Sequence, residues 1–182
     1  MRVPILVWFL VPTLILVGAG VWFFSKNSAL TSTKGEVLPA AVSKPIEGTV
    51  EYEIVGRDHI AQGSSGSGYN SNPPASGPHW PNPAKNGIYE EVLPDEQLIH
   101  DLEHGYVWIA YKPDLSDDAK NKLREIVKKD DWKVVLCPRE KNDSQIALVA
   151  WGRVLKMDSL DEGKFEDFIR TYRNRGPEKT PE

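Results

Sequence analysis

Hydrophobic and polar positions divide the chain into three unlike stretches. Residues 3–24, VPILVWFLVPTLILVGAGVWFF, contain no charged side chain. At about 1.5 Å of rise per residue, a helix of that length crosses the hydrocarbon core of a bilayer. A secretory signal would have an apolar stretch of roughly 7–15 residues and then a small-residue cleavage site. Here Gly18-Ala19-Gly20 is followed by more apolar bulk. Trp22, Phe23 and Phe24 stand where aromatic rings favour the membrane interface. Residues 1–24 therefore read as a transmembrane anchor, with the lipid bilayer as partner through residues 3–24 and a cleaved signal as the alternative. Arg2 on one side and Lys26 and Lys34 on the other leave the orientation open on charge alone. Residues 25–47, rich in Ser, Thr, Ala, Lys and Pro without an apolar period, read as a flexible tether.

Beyond the tether the pattern becomes that of a folded domain. Alternation over residues 49–55 predicts a strand with Val50, Tyr52 and Ile54 on its buried side. Residues 56–94 hold the runs GSSGSG, NPPASGPH and PNPAKNG, which predict a long irregular loop. Pro94-Asp95-Glu96 looks like a helix start and Gly105 like its stop. Residues 106–111, YVWIAY, have no polar face and predict a strand covered on both sides. Ser116 is placed to cap a helix whose stripe is Ala119, Leu123, Ile126 and Val127. Residues 133–137 and 146–151 read as strands. Ser159 and Glu162 have capping-box spacing before a helix with Phe165, Phe168, Ile169 and Tyr172 on one face. This order implies a small single α+β domain, residues 48–176, with a mixed or antiparallel sheet and about three helices, followed by a tail at 177–182.

Composition narrows the chemistry. The chain of 182 residues has a net charge of −4, which argues against a nucleic-acid binder, since such proteins need surplus Lys and Arg to displace counterions from phosphates. Its one cysteine, Cys137, excludes an intramolecular disulfide and any site built from paired thiolates. At the end of an apolar run, Cys137 reads as a buried small residue rather than a nucleophile. A metal, if bound, uses nitrogen and oxygen ligands.

All four histidines, His59, His79, His100 and His104, fall between residues 59 and 104. At 100° per residue His100, Glu103 and His104 share one arc of the helix expected there, while Leu98, Ile99 and Leu102 share the opposite one. Imidazoles at i and i+4 can converge on one ion, and a loop folded over that face can add His79 and His59. Such a set, with or without Glu103, suits zinc or copper(II). Asp58 and Asp101 are candidate acceptors for orienting the rings. The alternatives are a hydrogen-bonded structural cluster in a cell-envelope binding module, or a metal-dependent hydrolase with Glu103 as general base. His100-Asp-Leu-Glu103-His104 also fits the His-x-x-Glu-His pattern of inverted zinc peptidases, but the downstream candidates for a third ligand, Glu162 and Glu166, lie on an amphipathic helix. Ser64, Ser65, Ser67, Ser71 and Ser76 share the histidine loop without a nucleophile-elbow pattern, and Tyr69, Trp80 and Tyr89 can staple that loop or line a pocket in it.

The motifs Pro73-Pro74-Ala75-Ser76-Gly77-Pro78-His79, Gly87-Ile88-Tyr89, His100-Asp101-Leu102-Glu103-His104-Gly105 with Val107-Trp108, Ala150-Trp151-Gly152-Arg153 and Arg175-Gly176-Pro177-Glu178 together resemble an uncharacterised bacterial family, domain of unknown function 3105. The resemblance covers about residues 48–180. It implies an N-terminal membrane segment, a tether and an extracytoplasmic domain, carries the family's motif histidines onto His79, His100 and His104, and supplies neither a reaction nor a choice between zinc and copper.

Overall fold

The apolar residues 106–111 become the strand around which the domain is layered. A computed structural model describes residues 45–181. In chain order these form β1 (Thr49–Glu51), β2 (Gly87–Ile88), α1 (Asp95–Glu103), β3 (Val107–Tyr111), α2 (Asp117–Lys129), β4 (Val134–Pro138), β5 (Ile146–Ala150), β6 (Arg153–Met157) and α3 (Glu162–Tyr172). The expected anchor and most of the expected tether lie outside the described residues. Among the described residues no helix is long and apolar enough to cross a membrane.

The strands make one mixed sheet in the order β1-β6-β5-β3-β4-β2. β3 runs parallel to β4 and antiparallel to β5, so it is central. Alternation along the pleat sends Val107, Ile109 and Tyr111 to one face and Trp108 and Ala110 to the other. The first face meets Leu123, Ile126 and Val127 of α2 and Phe165, Phe168 and Ile169 of α3. The second meets Leu98 and Leu102 of α1 and Ala75 of the long loop. Covering on both sides is why β3, β4 and β5 lack a polar face. The result is a small α+β domain with three helices and a six-stranded mixed sheet, as the pattern of elements implied.

Several local expectations need correction. The first strand ends at Glu51 rather than Val55, and Val50 and Ile54 are 50% and 44% exposed. β1 is an edge strand paired only with β6 among the described strands, so alternation there does not buy burial. Two strands were absent from the periodicity reading. β2 is two residues long inside the Pro/Gly-rich stretch, and β6 follows β5 through a tight turn at Trp151-Gly152 in which Gly152 adopts φ +69°. The last helix is capped by Asp161, whose Oδ1 accepts from the Lys164 amide at 3.0 Å, not by Ser159. Ser116 caps α2 as expected, accepting from the Ala119 amide.

The long loop is fastened rather than loose. Trp80 Nε1 donates to the Ser64 carbonyl at 2.8 Å, and the Tyr69 hydroxyl donates to the Pro78 carbonyl at 2.7 Å. Arg139, almost fully buried at the end of β4, binds both oxygens of Asp95 at 2.8 Å and reaches Asn72 Oδ1 and Asn142 Oδ1 with Nη1. One guanidinium thus joins the loop, the first turn of α1 and the end of β4. Cys137 is fully buried, its Sγ accepting from Trp108 Nε1 at 3.3 Å, and burial pushes its thiol up to about 12. It is a packing residue.

Candidate metal centre

The histidine site is built by α1 and by two loop segments that pair in front of it. Residues 58–60 and 79 form a parallel bridge, with the Ile60 amide donating to the His79 carbonyl at 2.8 Å and the His79 amide donating to the Asp58 carbonyl at 3.0 Å. The Trp80 amide then donates to the Glu96 carbonyl at 3.1 Å, which lays the loop against α1. Leu98, Ile99 and Leu102 are fully buried and leave the remaining arc of the helix to meet the loop.

One ring nitrogen from each of His59, His79 and His100 lies within 4.8 Å of the others. Ring centroids are 4.9 Å apart for His59 and His79, and 5.0 Å apart for each of these with His100. His79 and His100 are buried and His59 is exposed, so the group opens to solvent on one side. His79 Nδ1 lies 2.8 Å from the Gly77 carbonyl, and His100 Nδ1 lies 2.6 Å from the Trp80 carbonyl. A carbonyl can only accept, so both Nδ1 atoms carry protons and both Nε2 atoms are left for a ligand. His79 Nε2 sits 3.1 Å from Glu103 Oε2, and His100 Nε2 sits 3.1 Å from His104 Nε2. His104 also approaches Glu178 Oε2, at 3.5 Å.

All five residues anticipated as ligands therefore fall in one patch, in two roles. His59, His79 and His100 form the mutually close group; Glu103 touches it through His79 and His104 through His100. The His79 and His100 rings are oriented by backbone carbonyls, while Asp101 Oδ2 accepts from the Ala84 amide at 3.1 Å. Glu162 and Glu166 do not supply the third ligand of the peptidase pattern, because α3, which carries them, packs on the opposite face of the sheet and Glu162 pairs with Lys122. Ser71 and Ser76 accept backbone amides from Ala75 and Val55, roles that belong to the loop's own structure.

Sequence reasoning did not single out Arg57, Lys133 or Glu178 for the site. Lys133 is fully buried, and its Nζ donates to the His104 carbonyl at 2.9 Å, to Asn174 Oδ1 at 3.3 Å and to the carbonyl and hydroxyl of Thr180 at 3.1 and 3.0 Å. The Glu178 amide donates to the Glu103 carbonyl at 3.0 Å. Residues 174–180 are thereby strapped across the C-terminal end of α1, including the stretch from 177 expected as a tail. Gly176 makes this approach possible: a Cβ there would lie 2.2 Å from the Glu103 carbonyl oxygen and 2.3 Å from the Gly105 amide nitrogen. Gly176→Ala is expected to lower stability by about 1–3 kcal/mol through backbone overpacking, measured by urea denaturation.

Burial lowers the His100 pKa, and the neighbouring His104, His79 and His59 lower it further against the opposing effect of the hydrogen bond that Nδ1 donates to the Trp80 carbonyl. The folded-state value lies below the unfolded value of about 6.5, so the unfolded chain binds more protons as pH falls. The corresponding stability is present above about pH 6.5 and is lost as pH drops through the folded-state pKa. Thermal melts of the metal-free protein between pH 8 and 5 are expected to show this fall, with a shallower slope in His100→Gln.

No curated protein and no solved structure matches the chain. A family model described as "Protein of unknown function (DUF3105)" matches residues 59–182, a span that takes in all four histidines and Glu103. The chain belongs to the DUF3105 family.

Proposed function

We propose that the domain holds a divalent zinc or copper(II) ion through His59, His79 and His100, with Glu103 and His104 beside the ion. The observation that carries this reading is that backbone carbonyls fix two buried imidazoles through Nδ1, which leaves each Nε2 for an ion, in a group of three histidines whose ring nitrogens lie within 4.8 Å of one another. Metal-bound histidines characteristically have the other ring nitrogen held in this way. Ligand nitrogens about 2.0–2.1 Å from zinc stand about 3.3 Å apart at the corners of a tetrahedron. Elemental analysis of the full-length chain, equilibrated with zinc or copper(II) and desalted, is expected to find one ion per chain. No retained metal would overturn the reading.

The domain is proposed to stand outside the cytoplasm on a single-pass anchor, a reading supported by the uncharged residues 3–24. Resistance of the chain to alkaline extraction from membranes, with protease access to the domain in intact cells, is the expected outcome; release into the soluble fraction opposes it. The Glu103 carboxylate beside the ion also suits a general base in a metal-dependent hydrolase. That reading requires chelator-sensitive turnover of peptide, ester or phosphate substrates, lost in Glu103→Gln. If the histidines only pin the loop, as in a binding module, added metal leaves the melting temperature unchanged.

A further inference from the structure

His59 sits in extended backbone bridged to His79, and in extended backbone residues i and i+2 project to the same side. Arg57 accordingly turns toward the centre with His59. Its Nη1 lies 3.5 Å from Glu103 Oε1, yet the side chain is 53% exposed. The other carboxylate oxygen, Oε2, faces His79 Nε2 at 3.1 Å. One buried carboxylate therefore spans the guanidinium and the His79 imidazole, and the Arg57 and His59 side chains are both exposed.

Charge and coordination then point the same way. Metal-bound imidazoles are neutral, so three of them leave a divalent ion its full charge. The negative charge of Glu103 is shared with Arg57, and the centre as a whole stays positive. A set of three histidines also leaves a fourth position on zinc for water or another ligand. We infer that this fourth position and the Arg57 guanidinium together form a subsite for a small oxyanion, a carboxylate or phosphate group, with one oxygen on the ion and another on the guanidinium. Arg suits this role because its planar fork matches the paired oxygens of such groups. The inference rests on the metal reading given above.

Cobalt(II) loaded into the full-length chain in detergent provides the test, because its visible absorption reports coordination directly. Acetate and inorganic phosphate are titrated separately into the wild type, Arg57→Ala and Arg57→Lys. Saturable spectral change in the wild type is expected, with the half-saturating concentration raised about ten-fold in Arg57→Ala, as befits loss of a charge-assisted hydrogen bond, and less in Arg57→Lys. A response to acetate alone assigns a carboxylate, and one to phosphate alone assigns a phosphate. A normal cobalt spectrum that neither anion alters, or that responds equally in Arg57→Ala, overturns the subsite while leaving the metal reading standing. Absence of any bound-cobalt spectrum in the wild type overturns the metal reading itself, and the subsite with it.

Discussion

A His79→Ala chain is expected to lose metal binding and to be destabilised at the same time, for separable reasons. The imidazole is fully buried, with Nδ1 on the Gly77 carbonyl and Nε2 toward both the cluster and Glu103. Removing it deletes one of three close ligands, so the loss of affinity is expected to exceed the roughly 10–100-fold typical of deleting an outer partner of a ligand. It also leaves the buried Glu103 carboxylate charged against a void, with the half-exposed Arg57 guanidinium at 3.5 Å beside it, at a cost of about 3–5 kcal/mol. Adding Glu103→Gln separates the two effects. The double variant is expected to regain much of the stability, read by denaturant titration, and none of the affinity, read by competition with a metal chelator. Recovery of both would show that His79 acts only as a counter-group to Glu103.

Arg139→Ala is expected to be the most damaging substitution away from the histidines. Its guanidinium is paired with Asp95 while also serving Asn72 and Asn142. Ala leaves Asp95 and two amide oxygens without that partner, at a cost of about 3–5 kcal/mol, which lowers the melting temperature by about 10 °C or more for a domain of this size. Asp95 stands in the first turn of α1, so the loss is expected to loosen the helix that carries His100 and Glu103. In a double-mutant cycle, Arg139→Met with Asp95→Asn is expected to cost less than Arg139→Met alone, because neither variant charge is then left buried. Additive costs would show that the pair is uncoupled.

How much of this could be read from the sequence follows the range of the interactions involved. The faces of α2 and α3 and the unbroken apolar character of β3 express local periodicity against a single core, and they were legible. So was the division of α1 into a core arc and a polar arc. β6 was not read from the pattern because its start is set by the turn at Gly152 and its pairing with β5. Burial at Val50 and Ile54 failed because alternation records a strand's capacity to bury a face, whereas β1 is a short edge strand that ends at Glu51 and the described residues leave both side chains exposed. Within the centre, helical spacing places His100, Glu103 and His104 on one arc. That His59 meets His79 and His100 depends on a backbone bridge across twenty residues of loop, which no local period encodes. Arg57 was in principle accessible through the two-residue repeat of extended backbone, once His59 was placed; Lys133 and Glu178 reach the site only through tertiary packing.

The strap over α1 also bears on the order in which the centre can be completed. Every histidine has been made once the chain reaches residue 104, but the Glu103 and His104 carbonyls acquire their partners only when Lys133 and residues 174–180 are in place. Until then the last turn of the ligand-bearing helix frays more easily, as helix ends without partners do. A nascent or truncated chain that ends before Thr180 carries all four histidines without the strap that holds the end of α1.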